Sequence, residues 1–370
     1  MSELRCAALR SLSVLFPPTV RDNEFWRQKY PEVVADAANR ALGRVWAKES
    51  DGRDATPFER AMQPYAADPF LGSVERRVLA PGDSALSLEL PAAREAMELA
   101  GLAASDVDLV ISSAFPADEV GVGNAVFLAR ELGITGAAWN LETACSGALV
   151  ALQTAAALVE AGRHDNVLVV VSCTYSRVND EDSTLSFNIG DGAAAFVVGA
   201  SPTPGVLAGA SVNTSETVGA IGYAIEPRPD EPVIRMHPTR GAGPVLRDST
   251  ELRVPQCTGK VLEASGLRLD DIDLFCCNTP TAWYADFFAT KLGVDRERVM
   301  DVHPEYGNVG PVLWPAALHK AATAGRISQG DRVLLFSIGS VSSAAAAVLQ
   351  WTDVGIGAPP APGRAALSTD

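Results

Sequence analysis

Uninterrupted apolar runs alternate with segments of helical periodicity along most of this chain. The runs LVVVS at 168–172 and VLLFS at 333–337 contain no charged position, which predicts strands buried on both faces of a sheet. Between such runs, apolar residues recur every three or four positions, as in SGALVALQTAAALVEAG at 146–162, which predicts helices. Strands that alternate with helices in this way are typical of a mixed α/β fold.

The chain also carries an internal repeat. Three phrases recur in the same order: DVDLV at 106–110 and DIDLF at 271–275, FLARELGI at 127–134 and FFATKLGV at 287–294, and AGR at 161–163 and 324–326. This nearly constant spacing predicts two related halves, 1–200 and 201–352. Each half has an apolar sheet face to cover, so we expect the halves to pack together with helices between their sheets. The expected result is a five-layered α-β-α-β-α fold.

Two segments depart from the repeat. The polar stretch AKESDGRDATPFERAMQPYAADP at 47–69 is expected to be an inserted excursion from the first half. The last residues, 353–370, are rich in Ala, Pro and Gly, and we expect them to be disordered.

Composition narrows the class of protein. The chain has 370 residues, of which 45 are acidic and 30 basic, so its formal net charge is −15. We therefore expect neither nucleic acid nor an anionic membrane as its main partner. No uncharged apolar run is long enough to span a bilayer, and the N-terminus lacks a signal-peptide pattern. The six cysteines form no CxxC pair or His-Cys cluster, which predicts no metal site and a cytoplasmic location.

The repeat brings two residues of chemical interest into correspondence. TACSG at 143–147 matches YGNVG at 306–310, so Cys145 in the first half corresponds to Asn308 in the second. Both are expected at the N-termini of helices buried between the sheets. A thiol in that position faces unpaired N–H groups and the positive end of the helix dipole, which lowers its pKa and favours a nucleophilic thiolate. The alternative is a cysteine that simply packs in the core.

Successive blocks of the sequence resemble the ketoacyl synthase III family of the thiolase superfamily. They are LETACSGALVAL from Leu141, NIGDGAAAFVVG from Asn188, DLFCCNTPTAW from Asp273, YGNVGPVLWPAAL from Tyr306 and GDRVLLFSIGS from Gly330, with an earlier block from Gly72 to Met97. The resemblance covers residues 72–352. It implies a thiolase-like fold, a two-fold homodimer and no tightly bound cofactor. It also implies that Cys145 takes an acyl group as a thioester from coenzyme A or an acyl carrier protein.

The resemblance breaks at one catalytic position. The family usually condenses the acyl group with a malonyl-type thioester, using a His and an Asn; Asn308 matches the Asn, but Asn278 stands where the His would be. An amide can donate a hydrogen bond to an oxyanion, but it cannot accept a proton at neutral pH. Loss of one oxyanion donor typically slows a reaction by about 10²- to 10³-fold. His303, five residues before Asn308, is either a replacement base or a surface loop residue.

The resemblance assigns further roles by position. The backbone N–H groups of Cys145 and Val341 are expected to form the thioester oxyanion hole, with Val341 where the family has a glycine. Phe187 either lines the acyl pocket or belongs to the core. On the helix before the DIDLF strand, three basic residues are expected at the carrier-docking surface unless they belong to an ordinary solvated face: Arg247, Arg253 and Lys260.

Three functions follow from these residues. The first is an acyltransferase that passes an acyl group from Cys145 to an amine, hydroxyl or thiol acceptor in specialised, polyketide- or fatty-acid-like biosynthesis. The second is decarboxylative condensation, with Asn278 and Asn308 as a two-amide oxyanion hole. The third is a non-catalytic subunit that partners an active homologue, which the intact TACSG setting of Cys145 argues against.

Overall fold

The computed structural model describes residues 5–49, 54–119, 121–227, 232–339 and 342–362. The elements up to residue 201 are β1 Cys6–Leu15, β2 Thr19–Asp22, α1 Asn23–Lys29, α2 Pro31–Glu49, α3 Pro57–Met62, β3 Glu75–Val78, α4 Ala85–Leu99, β4 Leu109–Phe115, α5 Ala125–Leu132, β5 Ala137–Asn140, α6 Gly147–Glu160, β6 Asn166–Thr174 and β7 Asp191–Ser201. The later elements are β8 Val206–Asn213, β9 Ile221–Glu226, β10 Val233–Pro238, α7 Ala242–Ser265, β11 Leu274–Cys277, α8 Tyr284–Leu292, β12 Val299–Met300, α9 His303–Tyr306, α10 Leu313–Thr323, β13 Arg332–Gly339, β14 Ser343–Gln350 and β15 Gly355–Ile356.

Two mixed sheets form the framework. The first has the strand order β15-β1-β7-β6-β4-β5 and the second β12-β11-β13-β14-β8. Within them β4 runs parallel to β5 and β6, and β11 runs parallel to β12 and β13. The apolar runs at 168–172 and 333–337 lie inside β6 and β13, as their pattern predicts.

The helices make three layers around these sheets. Helices α6 and α10 contact strands of both sheets and therefore lie between them. Helices α4 and α5 cover the outer face of the first sheet, and α7 and α8 cover the outer face of the second. The five-layered α-β-α-β-α prediction is confirmed. In the described parts of the chain, no helix combines the length and the apolar character needed to cross a membrane.

The layering explains why strand β6 has no polar face. Val167, Val169 and Val171 point into the central core between the sheets, whereas Leu168 and Val170 pack beneath α4 and α5. Full burial of each such side chain contributes about 1.5–3 kcal/mol. A strand covered on both faces is consequently apolar at every position.

The repeat is visible in how the helices end. Helix α5 stops at Gly133 with φ +71° and α8 stops at Gly293 with φ +69°, the two glycines of the repeated phrases. Left-handed φ values favour glycine, which has no Cβ to clash. Both halves therefore use the same signal to turn from a helix towards the next strand.

Residues 54–69 of the expected excursion form helix α3 and a 3-10 turn. Thr56 and Glu59 make a reciprocal capping box at the start of α3. The Phe58 ring packs edge-on against Phe287 of α8, with ring centroids 5.2 Å apart. This part of the excursion is thus a helix packed on the second sheet's outer layer, while 50–53 lie outside the described residues.

The expectation of a disordered tail is wrong for residues 353–362. Gly355 and Ile356 form β15, which pairs in parallel with β1 and extends the first sheet. His319 Nε2 donates to the Gly357 carbonyl at 2.9 Å, and Arg77 donates to the Ala361 carbonyl at 2.7 Å. Composition did not reveal these partners, because they are backbone contacts with distant elements. The remaining tail residues, 363–370, lie outside the described residues.

Candidate active site

Cys145 and Asn308 face each other where the two central helices begin. Cys145 lies in the 3-10 turn Ala144–Ser146 that leads into α6, and Asn308 precedes the turn Gly310–Val312 that leads into α10. These two turns contact one another between the sheets. The repeat therefore places the two residues in equivalent positions, as expected.

The backbone around Cys145 is held tightly. Ala144 has φ +54°, a left-handed conformation that strains any residue with a Cβ. The Cys145 carbonyl accepts hydrogen bonds from Ser337 Oγ at 2.7 Å and from Asn278 Nδ2 at 3.2 Å. A Cβ at Gly147 would lie 2.0 Å from Ser113 Oγ, so only glycine permits this approach of α6 to β4. These contacts fix the position from which the thiol projects.

The Cys145 thiol is the one cysteine sulfur group that is not fully enclosed. Cys145 is half-buried, whereas the other five cysteines are buried. Its Sγ lies 3.4 Å from the hydroxyl of Tyr175. Burial raises the pKa of the Cys145 thiol, and the Tyr175 hydrogen bond opposes this increase. The lowered pKa that we expected from the helix terminus is therefore wrong, because desolvation of the thiolate outweighs the favourable contacts.

We expect the pH dependence of Cys145 alkylation to show both the effect of burial and the effect of Tyr175 on the thiol pKa. The alkylation rate of an ordinary cysteine stops rising once the pH is well above the pKa of its thiol, because only the thiolate reacts. For Cys145 the rate with iodoacetamide should keep rising to a higher pH. In the Tyr175→Phe variant the profile should move to still higher pH, since the hydrogen bond that lowers the thiol pKa is lost. Mass spectrometry of the labelled Cys145 peptide measures both profiles. A profile that is unchanged or moves to lower pH in Tyr175→Phe would contradict this assignment.

The Asn278 side chain has a defined orientation. Its Nδ2 group donates to the carbonyl oxygens of Cys145 and Gly310, each at 3.2 Å. Its Oδ1 atom is buried and has no hydrogen-bond partner among the described residues. A flipped amide would set Oδ1 against two carbonyl oxygens, so the contacts define the orientation. The predicted role of Asn278 as an oxyanion donor is therefore at odds with this geometry, because both N–H groups are already used.

Asn308 has the opposite arrangement. Its side-chain Oδ1 accepts from the backbone N–H of Gly310 at 3.0 Å. The backbone N–H of Asn308 donates to the Asn188 carbonyl at 2.6 Å. Within the described part of the chain, no group accepts from Asn308 Nδ2, and the residue lines the main cavity. Asn308 thus presents a free amide donor to the cavity whose wall includes Tyr175, the residue in contact with the thiol.

His303 is in the wrong environment for the base that we considered. Its ring is fully buried, with Nδ1 3.0 Å from the Thr279 carbonyl and Nε2 3.2 Å from Ser73 Oγ. A carbonyl only accepts, so Nδ1 of the neutral ring carries the proton, and Nε2 lies against Ser73 Oγ, whose hydroxyl donates to Asn188 Oδ1 at 2.9 Å. Burial lowers the pKa of His303 to about 4. The ring therefore connects two structural segments, and its two nitrogens lie against Thr279 and Ser73 instead of the thiol.

A cavity of about 340 Å³ opens next to these groups. Its walls are mainly apolar and include Phe70, Phe187 and Met236, together with Tyr175 and Asn308 beside the thiol. Phe187 lines this cavity and also packs in a buried cluster with Trp26 and Phe70, so both of the alternatives considered for it remain open. Two further wall residues hold buried polar atoms without partners among the described residues: Thr281 Oγ1 and Trp283 Nε1. Val341, expected in the oxyanion hole, lies outside the described residues.

The residues expected to dock a carrier protein are differently placed. Arg247 pairs with Glu59 at 2.7 Å. Arg253 binds both carboxylate oxygens of Glu216, at 3.0 and 2.7 Å, and thereby lowers the pKa of Glu216 to about 2. Only Lys260 of the three is an exposed side chain with no ion pair among the described residues. Carboxylates from other elements thus offset the charges of both arginines, and the docking role of Arg247, Arg253 and Lys260 stays a prediction.

Sequence reasoning did not select Tyr175, although its hydroxyl is the polar side-chain group bonded to the thiol. A signal was present in the strand order. Tyr175 directly follows β6, whose parallel neighbour is β4, and side chains at the carboxyl ends of parallel strands meet at one edge of a sheet. Sequence reasoning also missed Ser337, because this residue lies in the other half of the chain from Cys145, whose carbonyl it contacts.

Solved structures share this architecture. A synthase III structure from Thermus thermophilus has a TM-score of 0.76 and 26% identity, and the match covers 94% of this chain and 99% of that one. The priming β-ketosynthase of a polyketide biosynthetic pathway has a TM-score of 0.77 and 24% identity, with 95% and 98% covered. OleA of Xanthomonas campestris has a TM-score of 0.73 and 20% identity, with 94% and 100% covered. The duplicated sheets and paired central helices define a thiolase-like protein.

Sequence comparison narrows this class to one family. Residues 139–215 match 3-oxoacyl-acyl-carrier-protein (ACP) synthase III, and residues 262–351 match the C-terminal part of the same family. The β-ketoacyl-ACP synthase III of Brucella suis is 31% identical over 286 residues, which are 76% of this chain and 88% of the relative. The Sinorhizobium medicae protein of the same name gives the same values. The chain belongs to the 3-oxoacyl-ACP synthase III family.

Proposed function

We propose that this protein is an acyltransferase that carries an acyl group on Cys145 and passes it to an amine, hydroxyl or thiol acceptor. The observation that carries the proposal is the orientation of Asn278, whose N–H groups are bound to backbone carbonyls and whose Oδ1 is unpartnered. An unpartnered amide oxygen accepts hydrogen bonds only. It therefore matches an acceptor substrate that brings an N–H, O–H or S–H group.

The first step loads the enzyme. The Cys145 sulfur attacks the carbonyl carbon of an acyl thioester, a new S–C bond forms, and the S–C bond of the donor breaks. The donor thiol leaves with the proton that Cys145 loses. The half-buried thiol at the start of α6 supports this role, since the donor can reach it while the N–H groups of the helix terminus favour negative charge there.

The second step unloads it. The acceptor heteroatom attacks the thioester carbonyl, the bond to Sγ breaks, and the acceptor's proton passes to the departing sulfur. Asn278 Oδ1 is suited to orient the acceptor through its hydrogen, and Asn308 Nδ2 is suited to donate to the carbonyl oxygen as it gains negative charge. Neither residue needs to change its protonation state.

Decarboxylative condensation is the less favoured reaction at this site. It generates an enolate oxygen, which requires hydrogen-bond donors. A two-amide oxyanion hole would need a free N–H on Asn278, but both are bound to the Cys145 and Gly310 carbonyls. An oxygen lone pair in the remaining position would repel an enolate.

The donor thioester is proposed to reach Cys145 through the cavity. Thr281 Oγ1 and Trp283 Nε1 are buried in its wall without partners among the described residues, so they remain available for the amide groups of a phosphopantetheine arm. Such an arm is common to coenzyme A and acyl carrier protein, and we propose one of these as the donor. Specialised metabolite biosynthesis and a two-fold homodimer complete the proposal by analogy with the family.

Discharge of the acyl-enzyme tests the proposal. We expect acyl-Cys145 to be unloaded by members of an amine, alcohol and thiol panel, while malonyl thioester releases no CO₂ above the enzyme-free rate. Intact-protein mass spectrometry and trapping of labelled CO₂ measure the two outcomes. In Asn278→His, which restores a base, CO₂ release should increase by at least about 10²-fold. The matched variant Asn278→Ala should still be acylated but should release no CO₂.

The opposite pattern would refute acyl transfer. If the unmodified protein couples the acyl group to malonyl thioester with stoichiometric CO₂ release, condensation is its reaction despite Asn278. If no thioester acylates the protein, the third function, a non-catalytic partner subunit, replaces both enzymatic functions.

A further inference from the structure

Three aromatic side chains form a series of ring contacts that begins at the Cys145 thiol. The rings of Phe115 and Tyr175 pack edge to face with centroids 5.7 Å apart, and those of Phe115 and Tyr223 with centroids 5.4 Å apart. Tyr175 Oη is in contact with Cys145 Sγ. An acyl group attached to the thiol would therefore have Tyr175 as its direct neighbour, and Tyr223 reaches the same cavity through its contact with Met236.

The two tyrosine hydroxyls have unusually weak partners. In the described part of the chain, the partner of Tyr175 Oη is the Cys145 sulfur at 3.4 Å, and that of Tyr223 Oη is the Met236 sulfur, also at 3.4 Å. Thiol and thioether sulfurs are weak hydrogen-bond acceptors. Tyr175 is almost fully buried, so its hydroxyl has little access to water. Both hydroxyls thus retain most of their capacity to donate.

When Cys145 carries an acyl group, the Tyr175 hydroxyl has an even weaker hydrogen-bond acceptor. In the free enzyme the Cys145 side chain is a thiol, and either the thiol or the Tyr175 hydroxyl can donate to the other. In the acyl-enzyme the same sulfur belongs to a neutral thioester and is a much poorer acceptor. The hydroxyl then needs an oxygen atom, and the acyl group is the new neighbour that can supply one.

The position of Tyr223 is well defined. Tyr223 on β9 is paired across the hairpin with Met236 on β10, and Met236 lines the main cavity. The hairpin is docked on the segment after Tyr175, because Met236 N–H donates to the Val178 carbonyl at 2.9 Å and Arg235 pairs with Asp180 at 3.0 Å. Burial raises the pKa of Tyr223, and the proximity of Cys145 adds to the increase. The hydroxyl remains a neutral donor at physiological pH.

We propose, on the basis of the acyl-transfer function above, that Cys145 accepts acyl groups with an oxygen substituent near the thioester, which Tyr175 and Tyr223 recognise. A hydroxyl or keto oxygen on the acyl chain accepts the hydrogen bonds that sulfur accepts poorly. A plain alkyl chain leaves both hydroxyls without an adequate acceptor and is disfavoured. Phenylalanine at either position would suit an alkyl chain better.

The preference is measured with matched thioesters. Butyryl and 3-hydroxybutyryl groups, each supplied as coenzyme A and N-acetylcysteamine thioesters, are compared by the rate at which they acylate Cys145, followed by intact-protein mass spectrometry. We expect the hydroxylated group to react about 10-fold faster or more. In Tyr223→Phe this ratio should fall towards one, because the 3-hydroxybutyryl rate falls and the butyryl rate rises. Met236→Leu is the matched control, since it removes the sulfur but keeps the hydroxyl, and it should retain the preference.

The other outcomes are distinguishable. Equal rates for the two acyl groups in the unmodified protein overturn the inference and leave acyl transfer intact. A Tyr223→Phe variant that slows both groups by the same factor also overturns it, because a purely structural role behaves in that way. Failure of every thioester to acylate Cys145 overturns the acyl-transfer function and this inference together.

Discussion

Replacement of Cys145 by alanine is expected to abolish covalent acylation completely. The other five cysteines are buried, so none of them is accessible to a thioester donor. The substitution removes one sulfur atom from a turn that is held by Ser337 and Asn278 through the backbone carbonyl, so the fold should be retained. Intact-protein mass spectrometry after incubation with a reactive acyl thioester should show an adduct in the unmodified protein and none in Cys145→Ala.

A matched cysteine variant controls for general loss of structure. Cys6 lies at the beginning of β1 and is only 7% exposed, so Cys6→Ala removes a buried thiol away from the candidate site. The Cys6→Ala variant should be acylated at Cys145 to the same extent as the unmodified protein. Acylation that persists in Cys145→Ala and disappears in another cysteine variant would show that the nucleophile has been misassigned.

The second large effect is on stability. Arg76 is fully buried on β3, where it donates to Asn23 Oδ1 at 2.8 Å and to the Phe187 carbonyl, and its guanidinium carbon lies 4.6 Å from the Trp26 ring centroid. Burial lowers its pKa to about 9, so the group stays charged at neutral pH. We expect Arg76→Ala to lower the free energy of unfolding by about 3–5 kcal/mol, because it leaves a cavity and orphaned carbonyl oxygens. Urea denaturation followed by circular dichroism measures this change.

Loss of Arg76 is also expected to affect the candidate site. Phe187 belongs to the wall of the cavity, so loss of Arg76 should also loosen that wall. Arg130 provides the control, since its side chain is 68% exposed and its ion-pair partner is the adjacent Glu131. Arg130→Ala should change stability by less than about 0.5 kcal/mol. Equal stability of Arg76→Ala and the unmodified protein would contradict the role of this buried guanidinium group.

The fold could be predicted in considerable detail from the chain alone. The apolar runs that became β6 and β13 are local patterns, because a strand covered on both faces is mainly apolar, with buried polar side chains such as Ser337 bound to partners. The repeat placed Cys145 and Asn308 in equivalent positions, because duplicated halves related by approximate symmetry bring corresponding residues together. The glycines that end α5 and α8 belong to the same repeated phrases.

The tail shows where local composition fails. Its Ala, Pro and Gly content predicted disorder, yet Gly355 and Ile356 extend the first sheet beside β1. Backbone hydrogen bonding is available to any sequence other than proline, so composition does not indicate whether an open strand edge lies nearby.

The chemistry of the site was decided by tertiary contacts. The sequence shows an amide at Asn278, but only the carbonyls of Cys145 and Gly310 determine which of its atoms is free. It shows a histidine at 303, but only burial makes that ring neutral and structural. The arginine at 253 looks available until Glu216, from another element, pairs with it.

The chain by itself thus determined the layered fold, the repeat and the identity of the candidate nucleophile, since these depend on periodicity and on residue type. The tertiary structure decided the direction of the Cys145 pKa shift, the free oxygen of Asn278 and the contact of Tyr175 with the thiol. The physical reason is that desolvation and hydrogen bonding depend on atoms supplied by segments far apart in the chain.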